Sequence, residues 1–292
     1  MAVKLENEFL CVEIAEMGAE VTRIYDKTED NEILWEGNPV YWKRHSPVLF
    51  PNVGKTYKNR VLINGTQYPT SQHGFARDNV FTCIEAAKER ASFMFRSSEE
   101  TKEVYPFDFE LHINYKLNKK ELTVEWQVKN CGDETMYFTI GGHPAFNVPV
   151  IPGTVRDDYY LTFSGQKELK YHLINPAYGT AIPEETYTLA LEDGKCKIDA
   201  HMFDKDALIF DEGQITKAGI ALPDGTPYLE MSCDGFPNFG IWSAGNAPFV
   251  CLEPWMGRCD NTGYDKDLSQ KPNINTLKPA EVFDKSYTIS IK

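Results

Sequence analysis

The run Phe107-Asp108-Phe109-Glu110-Leu111-His112-Ile113-Asn114-Tyr115-Lys116-Leu117 is followed, across Asn118-Lys119-Lys120, by Leu122-Thr123-Val124-Glu125-Trp126-Gln127-Val128. In the first run Phe107, Phe109, Leu111, Ile113, Tyr115 and Leu117 occupy every second position, with polar side chains between them. Side chains of an extended chain alternate between two faces, so a period of two puts all six on one face, whereas a helix would scatter them. The second run repeats the pattern. Two half-buried antiparallel strands are therefore expected. The polar and glycine-containing stretches Asn118-Lys119-Lys120 and Asn130-Cys131-Gly132-Asp133 supply the turns.

Outward from this hairpin the chain reads as strand after strand. Phe9–Ile14 and Glu20–Tyr25 flank a turn at Met17-Gly18-Ala19. Val61–Tyr68 is a hairpin whose Asn64-Gly65 pair accepts the positive φ angles of a tight type I′ turn. Met136–Ile140, Tyr159–Phe163, Ala207–Phe210, Gly219–Leu222, Tyr228–Ser232, Phe239–Ser243, Phe249–Leu252 and Ser286–Ile291 read as further strands. No long stretch carries a 3.6-residue period. Helix is expected only in short segments, one of them after Gly263-Tyr264-Asp265. The pattern predicts an all-β chain, a large antiparallel β-sandwich, as one domain over residues 1–292.

Composition narrows the class of partner. A net charge of −13 over 292 residues argues against nucleic acid or an anionic membrane surface. No apolar run reaches the length of a membrane span. The acidic start Lys4-Leu5-Glu6-Asn7-Glu8 lacks the apolar core of a signal peptide, so a cytoplasmic location is expected. Without a secretory signal, Asn64-Gly65-Thr66 is a turn rather than a glycosylation acceptor. The seven cysteines contain no C-x-x-C pair, which predicts reduced, mostly buried thiols and neither a disulfide framework nor a structural zinc site. Fifteen Tyr and five Trp suit a carbohydrate pocket and a β-rich core equally. Oligomeric state is not legible; a homodimer is compatible with the sequence.

Three short motifs carry chemistry. Gln72-His73-Gly74-Phe75-Ala76-Arg77 and Gly141-Gly142-His143-Pro144-Ala145-Phe146-Asn147 each set an imidazole among small and aromatic residues. Glycines before His143 would let backbone approach a ligand without a Cβ in the way. Leu252-Glu253-Pro254-Trp255 puts a carboxylate after the apolar strand Phe249–Leu252. Burial there raises a carboxyl pKa, which suits a general base working near neutrality. In order and local sequence the three motifs resemble the aldose 1-epimerase (galactose mutarotase-like) family over nearly the whole chain. The Gly-Gly-His-Pro variant resembles its LacX-type branch.

The resemblance implies a large twisted β-sandwich, or supersandwich, and assigns roles. Glu253 is the base that takes the proton of the sugar's C1 hydroxyl. His143 is the acid that protonates the ring oxygen. His73 binds sugar oxygens. Arg60, in Asn59-Arg60 before the hairpin, donates to sugar hydroxyls through its guanidinium fork. A binding aspartate is expected between His143 and Glu253; Asp204 and Asp206 are candidates, with Asp206 preferred. Arg77 is absent from the same motif of plain galactose mutarotases. Hexose-6-phosphate epimerases resemble the chain more closely there and use such arginines toward phosphate. Two readings of Arg77 stay open: a phosphate clamp with Arg60, or an ion pair with Asp78.

The expected function is interconversion of the α and β anomers of a hexose or hexose phosphate, with a small-molecule sugar as partner and no cofactor or metal. His73, His143 and Glu253 would make a two-histidine, one-carboxylate metal set, but no H-x-H or H-E-x-x-H signature supports it. Only Glu253 among the acids has a motif behind it, which disfavours a glycosidase. A sugar-binding or sensing protein without turnover is the alternative; it would have no need of an acid–base pair, and polarimetry separates the two.

Overall fold

The alternating run forms the strand Phe109–Asn118 and pairs antiparallel with Glu121–Asn130 in a computed structural model that describes residues 2–292. Phe109, Leu111, Ile113, Tyr115 and Leu117 are buried, as are Leu122, Val124, Trp126 and Val128. The two strands lie in a nine-stranded sheet that also contains Val282–Ile291, Arg90–Arg96 and Pro227–Ser232. Every ladder between strands of the described residues is antiparallel, whether in this sheet, in the six-stranded one or in the four-stranded N-terminal one. The fold is the all-β antiparallel sandwich read from the sequence. The Val61–Tyr68 hairpin appears as Arg60–Ile63 and Thr66–Pro69, with Asn64 and Gly65 at positive φ.

The six-stranded sheet positions the site. Its central strand is Phe249–Met256, flanked by Asn238–Trp242 on one side and by Ile140–Gly142 and Ala145–Asn147 on the other. Val250, Leu252, Phe239, Ile241 and Phe146 point into the large core shared with the nine-stranded sheet. Alternation then sends Phe249, Cys251, Glu253 and Trp255 to the opposite face. On that face two small apolar clusters flank the acid, one around Leu49, Val53 and Trp255, the other around Trp35, Phe249 and Cys251.

Three expectations need correction. The strand bearing Glu253 does not end at Leu252; it continues through Pro254 to Met256. Met136–Ile140 is not one strand but breaks at Thr139 into Met136–Phe138 and Ile140–Gly142. The double glycine makes room for core rings rather than for a ligand. A Cβ on Gly141 would lie 2.5 Å from Trp255 Cδ1, and one on Gly142 would lie 2.8 Å from Tyr287 Oη, where the two sheets meet. Helix is confined to short turns, including Leu268–Gln270 beyond Gly263 and a capped turn at Glu99–Lys102. All seven cysteines are free, four of them buried. No helix of the described residues is long and apolar enough to cross a membrane.

Candidate active site

Strand register brings His143 to Glu253. Gly141 pairs with Trp255 and Ala145 with Cys251, so His143 stands directly opposite Glu253 across the same antiparallel register. The ladder is interrupted between those pairs, where Pro144 and Pro254 lack an N–H to donate. Directly opposed residues share a face, and here His143 Nε2 lies 3.4 Å from Glu253 Oε2. Both side chains are buried, Glu253 to 1% and His143 to 6% exposure. Small residues surround them: Ala145 and Gly141 on one neighbouring strand and Gly240, paired with Glu253, on the other. The hollow this leaves is a cavity of about 550 Å³, within the roughly 300–1,000 Å³ usual for small-molecule sites.

Aromatic rings wall the pair. Trp42 stacks on His143 with centroids 4.7 Å apart, and Trp242 meets it edge-on at 5.6 Å. The Trp255 indole fills the space over Gly240, where a Cβ would lie 2.2 Å from Trp255 Cζ2. Its Nε1 is buried without a hydrogen-bond partner. The indole N–H is close enough to Glu253 to oppose the upward shift of its carboxyl, although no hydrogen bond of normal geometry forms. Gly240→Ala is expected to cost ~1–3 kcal/mol by forcing the indole out of place. Chemical denaturation measures this, and unchanged stability would contradict the packing described.

His73 sits in a loop at φ +65, a conformation that costs most side chains energy but that histidine adopts more readily than most. Two bonds to Gly54 hold it there. The His73 N–H donates to Gly54 O at 2.8 Å, and the Gly54 N–H donates to His73 Nδ1 at 3.1 Å. An Nδ1 that accepts fixes the neutral tautomer with its proton on Nε2. The His73 and His143 rings are 5.5 Å apart, edge to face.

Burial dominates the ionisation of this group. Desolvation lifts the Glu253 carboxyl well above its ordinary range, and the nearby Asp206 charge adds to this. The same loss of water pushes His143 down to about 3, helped by Arg77. His73 is held well below the usual histidine value by burial first and then by His143, Arg77 and Arg44. Burial thus favours the neutral form of all three groups, the carboxyl of Glu253 and both imidazoles.

The sequence model of the family described as Aldose 1-epimerase matches residues 1–289. The chain belongs to the aldose 1-epimerase family. Two curated relatives, the plasmid and chromosomal LacX proteins of Lactococcus lactis subsp. lactis, are 31% identical to it, covering 100% of this chain and 99% of theirs. A solved galactose mutarotase related enzyme from Lactobacillus acidophilus is 32% identical and superposes with a TM-score of 0.94, over 100% of this chain and 97% of that one. A galactose mutarotase-like protein from Lactobacillus casei ATCC 334 is 28% identical with a TM-score of 0.90, over the whole of both chains.

Within this family fold the cavity gathers His73, Arg77, His143, Asp206 and Glu253. Asp206 lines it at φ +74, whereas Asp204 does not line it and meets His201 at 2.8 Å. Arg60 is not brought in. It is exposed on the hairpin, donates to Gln67 Oε1 at 2.7 Å and does not line the cavity. The strand it opens runs outside the hollow, so its position beside the His73 loop in sequence is not proximity in space. Cations that sequence reasoning missed take that place: Lys43, Arg44 and Lys55 line the cavity with Arg77. Asp78 contacts Arg44 at 2.8 Å and stands 3.7 Å from Arg77 Nε, which is buried without a hydrogen-bond partner. Arg77 donates to Gln72 O at 2.6 Å, and burial followed by Arg44 lowers its pKa to about 10. Among the described residues one donor set of metal type forms, and it is not the set weighed from sequence: His143, Cys251 and Glu253 bring ligand atoms within 4.8 Å of one another.

Proposed function

We propose that the protein interconverts the α and β anomers of a hexose or hexose phosphate by acid–base ring opening and closure. The observation that carries this reading is the cross-strand pair His143–Glu253, buried on the face that opens to the cavity, with donor and acceptor 3.4 Å apart. Ring opening needs a proton taken from O1 and one given to the ring oxygen. The tautomer Glu253 carboxylate with His143 imidazolium performs both transfers and leaves a neutral carboxyl and a neutral imidazole beside the open-chain aldehyde. Burial favours that neutral product state of the pair. It is poised for closure: after rotation about C1–C2, Glu253 returns its proton to O1 and His143 takes one from O5. The pair holds one proton throughout. The indole face of Trp42 favours the transient imidazolium electrostatically and offsets part of its desolvation. His73 Nε2–H donates to a sugar oxygen, Asp206 accepts from a hydroxyl, and the tryptophan faces pack against sugar C–H groups. The chemistry asks for proton transfer alone.

Polarimetry of galactose, glucose and galactose 6-phosphate, with the spontaneous rate subtracted, tests the reading; no acceleration for any of the three would end it. Activity is also expected to hold as pH falls from 7.5 to 5. His143 is depressed to about 3, so the one-proton pair does not gain a second proton near the usual histidine value. A kcat/KM profile with an acid limb near 6.5 would contradict this ionisation.

Arg77 decides between the plain and the phosphorylated sugar. Its Nε, which has an ion pair with Asp78 at 3.7 Å but no hydrogen-bond partner, and the neighbouring Arg44 and Lys55 support a phosphate subsite inside a protein of net charge −13. A charge-assisted hydrogen bond contributes about 1.5–3 kcal/mol, so Arg77→Ala should weaken galactose 6-phosphate roughly 10- to 100-fold and galactose far less. Calorimetric titration of both ligands against both proteins checks this. Equal small losses would remove the phosphate.

A further inference from the structure

We propose that His143, Cys251 and Glu253 form a site for a thiophilic divalent cation, Zn²⁺ being the ion of best fit, and that its occupancy blocks the enzyme. One imidazole nitrogen, the Cys251 sulfur and a Glu253 carboxylate oxygen lie within 4.8 Å of one another, all three residues buried. The His143–Glu253 spacing of 3.4 Å is already a ligand-to-ligand distance of a tetrahedral ion with bonds of ~2.0–2.3 Å. Convergence is built into the sheet. Cys251 and Glu253 are two residues apart on one strand, and His143 stands opposite Glu253 in register. Four of the seven cysteines are buried, and Cys251 is the one grouped with an imidazole and a carboxyl among the described residues.

The donor set selects the ion. One sulfur, one nitrogen and one oxygen suit Zn²⁺, whereas Mg²⁺ and Ca²⁺ require six or more oxygens. Thiolate and carboxylate together cancel the double charge. That matters in a buried site with Arg77 and Arg44 nearby, where an uncompensated cation would be expelled. The two displaced protons leave to solvent through the cavity. A fourth ligand would be water reaching the ion from the cavity that His143 and Glu253 line. Binding stands on this geometry alone. Inhibition rests on the function proposed above, because the cation occupies the two groups that carry the proton.

Chelator-treated protein titrated with Co²⁺, as spectroscopic stand-in, should develop a near-ultraviolet thiolate-to-cobalt charge-transfer band that Zn²⁺ abolishes. The band should vanish in Cys251→Ala and in the near-isosteric Cys251→Ser, each confirmed folded by circular dichroism. Zn²⁺ affinity, measured against a chromophoric chelator, should fall at least tenfold in both. A wild type with no band, or a band that persists in both variants, overturns the site. In polarimetry the EDTA-treated protein should retain its full rate, and Zn²⁺ should slow it in step with occupancy. A rate that rises with Zn²⁺ overturns the blocking role. A protein that shows the band but accelerates no mutarotation keeps the cation site and loses the reaction.

Discussion

Glu253→Gln is expected to bring anomer exchange down to the spontaneous rate while the fold persists. The amide matches the carboxyl in size and still donates and accepts hydrogen bonds, but it cannot take the O1 proton or return it. A positioned acid or base contributes typically about 10²–10⁴-fold, and Glu253 acts in both half-reactions. The substitution should also leave stability nearly unchanged, for a reason specific to this site. Burial pushes the Glu253 carboxyl well above its ordinary range, which favours the neutral acid, and the amide that replaces it is neutral as well. A carboxylate held by a cation would behave differently, because its loss would strand a buried charge. Polarimetry beside a thermal melt separates the two effects. A Gln variant that exchanges anomers near the wild-type rate would remove Glu253 from the mechanism.

What the sequence made legible and what it hid follow from the range of the forces involved. Alternation between Phe107 and Val128 is a local record of which face is buried, and those strands and their pairing follow from it, as the Asn64-Gly65 turn follows from its own residue pair. The strand after Leu252 was hidden because Pro254 reads as a stop. Proline is tolerated there since the neighbouring strand has its own interruption at His143-Pro144, a fact of register between segments more than a hundred residues apart. The same register explains Cys251 and Trp255. Both sit two positions from Glu253, so the period of two already put them on its face, but only the sheet shows that this face opens to a cavity. Gly141 was misread as ligand space and Gly240 carries no readable signal, since the indole both make room for arrives from another strand. Arg60 failed for the converse reason: a local motif suggested a contact that the hairpin's path does not permit. Arg44 and Lys55 were silent, since nothing local distinguishes a cation on a cavity wall from one on the surface.

His143→Asn should lower kcat on the order of 10²-fold or more, the range of a lost general acid. Asparagine keeps polarity at the position opposite Glu253 but cannot cycle between imidazole and imidazolium, so the proton has no second resting place. The companion change, His73→Asn, should act at least as much on KM. Asparagine tolerates the positive φ that His73 adopts, so the loop is expected to keep its course. The bond from the Gly54 N–H has a side-chain oxygen available to it in the variant. What the shorter amide would lack is the reach of Nε2–H toward the sugar, a binding contact shared by ground and transition states, and its loss raises KM more than it lowers kcat. Steady-state polarimetry over a range of sugar concentration gives both constants for both variants. If His143→Asn moved only KM, the acid would have to be His73, whose ring lies 5.5 Å from that of His143. The two imidazoles would then exchange roles, and with them would go the argument that strand register, by setting His143 against Glu253, builds the proton-transfer pair.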